Sequence, residues 1–181
     1  MSTKAFRKIF APVIVSVLLA SPAWGSETAG QAIDDTTVAA RTKAALAENK
    51  AVSALDLNVE VYKGMVQLSG FVDSEAAESA ALATAREVEG AKKVLDAIIV
   101  HPGSRTMGET VDDTAIQAKL KAGLANVEGF GNAMAINTGV RQGHVLLAGF
   151  VAADAAKSDA GKVAKGVSGV KQVHNYILVV D

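Results

Sequence analysis

The sequence predicts an α+β protein built from two tandem α-β-β-α-β units, each a two-layer domain with a three-stranded sheet and its helices on one face. Three observations predict it. The stretch from Asp34 to Val100 recurs from Asp112 to Val179, at an offset of 78 residues that becomes 79 after a single one-residue gap. Within each copy, a segment of helical spacing gives way to alternating apolar and polar residues and then to helical spacing again. Glycine recurs at equivalent places in both copies, where turns would fall.

Each copy opens with Asp-Asp-Thr, at 34–36 and 112–114. Asp and Thr are good N-caps, and a carboxylate suits the positive end of a helix. In the second copy Ile116, Leu120, Leu124 and Val127 follow on one helical face. Val38, Ala45 and Leu46 form a weaker version in the first copy. Helices are expected at 35–48 and 113–126. An acid/base role for the paired carboxylates is conceivable, but capping explains them with fewer assumptions.

The alternation of Leu57-Asn58-Val59-Glu60-Val61-Tyr62 is that of a half-buried strand. Lys63-Gly64 makes a two-residue turn, and Met65 to Val72 returns with Val66, Leu68 and Val72 pointing one way. Gln142-Gly143 is the matching turn in the second copy. An alanine-faced helix follows, on Ala77, Ala81, Thr84 and Val88 in the first copy. Ala156, Ala160, Val163 and Val167 are its counterparts in the second. Asp73 and Ser74 are candidate caps in the first copy; the second has Ala152 and Ala153 there, so its cap is lost or moves to Asp154. Gly90 and Gly169 are expected to end these helices at C′. The last strands are Val94 to Val100 and Val173 to Val180. Two helices cover one face of a sheet, so the other face must meet solvent, the sister repeat or a ligand.

The domain organisation expected is a signal peptide at 1–25, a leader at 26–33, a first domain at 34–101, a linker at 102–111 and a second domain at 112–181. Lys4, Arg7 and Lys8 precede an apolar run from Ile9 to Ala20, and small residues lead to a cut after Gly25. That run is shorter than the roughly 20 residues of a membrane span, and no transmembrane segment is expected after cleavage. The protein is therefore expected in the periplasm. Trp24 is its single tryptophan and would leave with the peptide. The linker expectation rests on Pro102, Gly103, Ser104 and Gly108.

Composition removes several function classes. There is no cysteine, hence no disulfide, thiol nucleophile or thiolate metal ligand. The net charge is −1, which argues against a nucleic-acid partner. Aromatics are only 4%, so the cores must be aliphatic. Domains of 65 to 70 residues bury only about 60% of their unfolded surface, so contact between the copies is expected. No Gly-x-Ser-x-Gly elbow, phosphate loop or His-Glu-x-x-His is present. No enzyme activity, cofactor or metal is expected. His144 and His174 replace Met65 and Leu95 of the first copy. Their imidazoles would meet if their strands are neighbours, but no further ligand sits at metal-binding spacing.

The Gly-Met-Val-Gln-Leu-Ser-Gly-Phe-Val strand at 64–72, the ending Gly-Val-Lys-Gln-Val-His-Asn-Tyr-Ile-Leu-Val at 169–179 and the α-β-β-α-β order resemble the BON domain family. Phe71 and Phe150 depart from the small polar residue common at that place. The resemblance implies an exported bacterial protein linked to envelope and osmotic stress. It implies no catalytic residues. The partners it implies are anionic phospholipid surfaces or unfolded envelope proteins.

Differences between the copies point to candidate site residues. Lys157, Lys162, Lys165 and Lys171 lie on and after the last helix of the second copy, where the first has Glu78, Ala83, Arg86 and Lys92. Such a basic surface suits anionic headgroups. Phe130, between two glycines, is a candidate for dipping into a bilayer or an apolar partner, or for folding back as a cap on a small core. Phe71 and Phe150 occur in both copies and are read as packing residues. The leading expectation is membrane binding through the second repeat. The alternative is a periplasmic chaperone that holds unfolded clients on its uncovered sheet faces.

Overall fold

The computed structural model describes residues 29–52, 57–104, 106–127 and 136–180. The expected signal peptide and Phe130 lie outside the described residues. The first repeat comprises α1 (Ala29–Glu48), β1 (Leu57–Tyr62), β2 (Met65–Val72), α2 (Glu75–Arg86) and β3 (Lys93–Val100). The second comprises α3 (Met107–Leu124), β4 (Ile136–Arg141), β5 (His144–Val151), α4 (Asp154–Gly166) and β6 (Gln172–Val179). The α+β fold class and the repeated order are as the sequence predicts.

Each sheet has its hairpin strands antiparallel and its last strand parallel to the middle one. The orders are β1-β2-β3 and β4-β5-β6. The helix side of the first sheet buries Val38, Leu46, Val59, Val66, Leu68 and Ile98 against Ala81 and Ala85 of α2. The second repeat does the same with Ile116, Leu120, Val145, Leu147 and Ile177 against Ala156, Ala160 and Ala164. Alanine lets α2 and α4 lie close to the strands, as their spacing predicts.

The helix starts differ from expectation. Both first helices are already formed six residues before the acidic pair's second aspartate, at Ala29 and Met107. Part of the expected leader and half of the expected linker are thus helical. The N-cap of α3 is Thr106, in a capping box with Glu109. Thr106 accepts from the Glu109 N–H at 3.2 Å and Glu109 accepts from the Thr106 N–H at 2.8 Å, which satisfies two otherwise orphaned donors. These bonds hold the Glu109 carboxyl below its ordinary value.

Asp35 and Asp113 therefore sit inside helices and cap nothing. Each clamps the hairpin turn of its own repeat instead. Asp35 accepts from the N–H groups of Lys63 at 2.6 Å and Gly64 at 2.8 Å. Asp113 accepts from those of Gln142 at 2.7 Å and Gly143 at 2.9 Å. Both turns have positive φ at both central residues, 49° and 80° in the first and 52° and 80° in the second. That is the type I′ geometry, which matches strand twist but strains a non-glycine first residue. A bidentate carboxylate on the two turn amides offsets that strain.

Ser74 caps α2 by accepting from Ala77 N–H at 3.2 Å, while Asp73 turns elsewhere. In α4 the N-cap is Ala153, with no side-chain cap bond. Gly90 and Gly169 are not at C′; the C-caps are Glu87 and Val167. These glycines lie beyond the caps with φ near +96° and +97°, pressed on the first helix. A Cβ at Gly90 would stand 2.5 Å from Val38 Cγ2, and one at Gly169 would stand 3.1 Å from Ile116 Cδ1.

The second face of each sheet meets the sister repeat. Phe71, Ala97, Leu146 and Ala148 form a separate buried cluster there, with Ile99 packed on it. Phe150 crosses to Tyr62, with ring centroids 5.5 Å apart. The chain is thus layered helix, sheet, sheet, helix. β2 and β5, covered on both faces, are buried along nearly their whole length.

Candidate functional site

Three regions carry side chains beyond the needs of the cores: a groove repeated in each domain, the helical surface of the second repeat, and the seam between the sheets.

The groove lies between the first helix, the hairpin turn and the glycine turn of each repeat. In the second repeat it holds about 350 Å³ and is lined by Asp112, Ile116, Lys119, Gly143, Ser168 and Lys171. In the first it holds about 260 Å³, with the equivalent residues Asp34, Val38, Arg41, Gly64, Glu89 and Lys92. One substitution changes its electrostatics. Arg41 is paired with Glu89 at 3.0 Å in the first repeat. Its counterpart Lys119 faces Ser168, which carries no charge, and has no ion pair among the described residues. The comparison of copies from sequence did not single out Lys119. The signal was there, in Glu89 becoming Ser168.

The expected basic cluster is only partly assembled. Lys162 and Lys165 are exposed on the outer side of α4. Lys162 pairs with Asp159 at 2.8 Å, one helical turn away. Lys171 lies over Gly143 at the turn end of the domain, where it lines the groove. Lys157 is directed elsewhere: it is half-buried and lines a space of about 200 Å³ between the repeats, with Gln67, Asp96 and Tyr176. The helical layer that carries Lys162 and Lys165 also exposes two large apolar side chains that the sequence reading placed in the linker. Met107 is 87% exposed and Val111 67%, one turn apart on α3.

The seam carries its own polar contacts. Arg141, which replaces Tyr62 of the first repeat, is buried and donates through Nη2 to Asp73 Oδ1 and to the Gly103 carbonyl, both at 2.5 Å. Gln67 Nε2 donates to the Tyr176 carbonyl at 2.8 Å, and Asn137 Nδ2 to Glu60 Oε1 at 2.6 Å. Gln67 Oε1, Ser69 Oγ and Arg141 Nε are buried without a partner.

The chain's three histidines meet at one end of this seam. β5 and β6 are neighbours, so His144 and His174 stack at 5.8 Å between centroids. His101, from the end of β3, meets His144 edge-on at 4.9 Å. Burial holds the His144 imidazole below its ordinary value; His101, His174 and Lys171 push the same way, against Asp113. Burial and then His101 lower His174. Among the described residues no group of three or more His, Cys, Asp or Glu is arranged to hold a metal.

Two α-β-β-α-β repeats packed sheet to sheet, each with a carboxylate-clamped hairpin, define the class of protein. The BON domain family matches residues 34–102 and again 112–181, and the chain belongs to that family. It is similar to Osmotically-inducible protein Y of Escherichia coli (strain K12), at 32% identity over 147 residues, covering 81% of this chain and 73% of that protein. It is also similar to an uncharacterized protein of Anaplasma centrale, at 30% identity over 146 residues, covering 80% of this chain and 94% of that one. A solved structure of the C-terminal domain of CdsD, a type III secretion structural protein of Chlamydia trachomatis, aligns at 16% identity. It covers 81% of this chain and 67% of that one, with a TM-score of 0.32 that carries no argument.

Proposed function

We propose that this protein is a non-enzymatic periplasmic factor of the osmotic-stress response that binds anionic phospholipid surfaces through its second repeat. The observation that carries this reading is the asymmetry of the two repeats. The second exposes Lys119, Lys162, Lys165 and Lys171, and its groove has Ser168 where the first has the Glu89 that pairs with Arg41, though Glu109, Asp112 and Asp113 also line it. Residues 34–101 carry 7 basic and 11 acidic side chains, against 7 and 6 in 112–181. The likeness to an osmotically inducible protein supports the stress assignment.

Two kinds of contact support a bilayer as the partner. Lysines near an anionic surface contribute about 1 kcal/mol each. Met107 and Val111 present apolar surface on the same helical layer, the pairing that interfacial helices use. Glu109 and Asp112 lie on the same helix and subtract from the attraction. Lys157 is not part of this surface. The chaperone alternative has less support, because the sheet faces that would hold clients are packed on one another.

Salt-titrated co-sedimentation with vesicles tests the reading. Binding to vesicles containing phosphatidylglycerol is expected, and it weakens as salt screens the lysines. Lys162→Glu with Lys165→Glu removes two attractions and adds two repulsions, a change of about 4 kcal/mol. Equal binding to neutral phosphatidylcholine vesicles, or none to either, rules the reading out.

A further inference from the structure

His144 and His174 are not needed by the fold. The positions of His144 and His174 hold Met65 and Leu95 in the first repeat, which has the same fold. Yet in the second repeat they line up with His101, which comes from the other domain, at one end of the seam. His101 Nδ1 and His174 Nε2 are buried without a hydrogen-bond partner. The row continues into seam aromatics on both sides: Phe71 is 6.4 Å from His101, and Tyr176 is 6.4 Å from His174.

We propose that His144 and His174, packed against His101 of the first repeat, form a proton-operated latch between the two repeats, closed when those two imidazoles are neutral and opened when they are protonated. Neutral, His144 and His174 stack on each other and His144 packs edge-on against His101 across the seam. Protonation of His144 and His174 places like charges 5.8 Å apart in a half-buried site, where repulsion and desolvation act together.

The surroundings offer little relief to those charges. His144 faces His101 from the end of β3, His174 from β6, Lys171 from the loop before β6 and Asp113 from α3. Across the hairpin its register partner is Arg141, another cation. Asp113 is the carboxylate that favours protonation, and both its oxygens are engaged by the hairpin turn. Asp73, the carboxylate next along the seam, is engaged by Arg141. His174 faces His101, His144 and Tyr176. Burial favours the neutral forms of His144 and His174 in the closed form. Released to solvent, each returns toward a value near 6.5. Because the closed-form values lie below the ordinary one, lowering the pH from 7.5 to 5.0 favours the open form. Opening uncovers the faces that carry Phe71, Leu146 and Phe150.

The absence of cysteine allows a direct test. Spin labels are placed at Ala83→Cys on α2 and Ala155→Cys on α4, both exposed and in different repeats. Pulsed dipolar spectroscopy then reads their separation. The expected result is one narrow distance at pH 7.5 and a longer, broader distribution at pH 5.0, with unchanged far-UV circular dichroism. His144→Met with His174→Leu, the residues of the sister repeat, keeps the narrow distance at both pH values. His101→Gln is a second variant with a single change, and it reduces the response. The proposal is overturned if the wild-type distance is the same at both pH values. It is also overturned if the variants open as the wild type does, or if opening comes with loss of helical signal.

Discussion

Asp113→Ala tests the physical core of the repeat. The carboxylate is buried, 4% exposed, and accepts from two turn amides at 2.7 and 2.9 Å. Hydrogen bonds to a charged group contribute about 1.5 to 3 kcal/mol each. Two of them give a range of about 3 to 6 kcal/mol. The half-exposed Gln142 lets water reach its freed N–H, which places the expected loss near the lower end, about 3 to 4 kcal/mol. Gln142 also keeps its positive φ of 52° with nothing left to offset it. For a chain of this size, that loss lowers the melting temperature by roughly 10 °C. Asp35→Ala is milder, about 1 to 2 kcal/mol, because the bond from Lys63 is exposed to water. Asp112→Ala, one residue away and exposed, is the control and stays within about 0.5 kcal/mol. Urea unfolding followed by circular dichroism reads all three. A loss below about 1 kcal/mol for Asp113→Ala, or one no larger than for Asp112→Ala, refutes the clamp.

Asp73→Ala leaves the buried Arg141 guanidinium with the Gly103 carbonyl alone and costs about 1 to 3 kcal/mol in urea unfolding, although Asp73 itself is exposed. Glu89→Ala breaks an ion pair that is exposed on both sides and changes stability by less than about 1 kcal/mol in the same assay. Ser168→Glu gives Lys119 the partner that Arg41 has, and weakens binding to anionic vesicles about five- to thirty-fold without loss of stability. The folded-state values of His144 and His174 lie below the ordinary one, so their neutral forms are favoured in the fold. Their cost is absent above about pH 6.5 and grows as pH falls toward the lowered values. The urea midpoint therefore drops between pH 7 and pH 5, and His144→Met flattens that slope.

The sequence reading reached the fold through features that are local. The offset of Asp34 and Asp112, the Leu57–Tyr62 alternation, the glycines at 64 and 143 and the alanine faces of α2 and α4 each report on their own neighbourhood. It erred where a residue works over distance. Asp113 bonds a turn 29 and 30 residues away, so capping was the nearest local explanation for it. The start of α3 is a different case. Thr106-x-x-Glu109 is a readable capping box, but Pro102, Gly103, Ser104 and Gly108 around it made the stretch look like a linker.

The candidate site was less legible. Counting charges by copy found the second repeat but not the arrangement of its cations. Lys157 lies on the same helix as Lys162, and only its side-chain direction sends it into the seam. The unpaired state of Lys119 depends on what stands at position 168, a contact made by Arg41 and Glu89 across 48 residues in the first repeat. The partner of the second face of the first sheet stayed open, because Gln67 and Ser69 put polar side chains on it that are buried in the fold. The unbroken apolar run Leu146-Leu147-Ala148 in β5 was the better sign that both faces are covered.

Charge reversal in each repeat, read by co-sedimentation with phosphatidylglycerol vesicles at low and high salt, tests the central claim that the second repeat carries the membrane surface. Lys162→Glu with Lys165→Glu is compared with Arg86→Glu and Lys92→Glu in the first repeat. The account predicts that the second-repeat pair loses the salt-sensitive binding, while the first-repeat pair retains nearly all of it. Equal losses from the two pairs, or binding that both leave intact, contradict it.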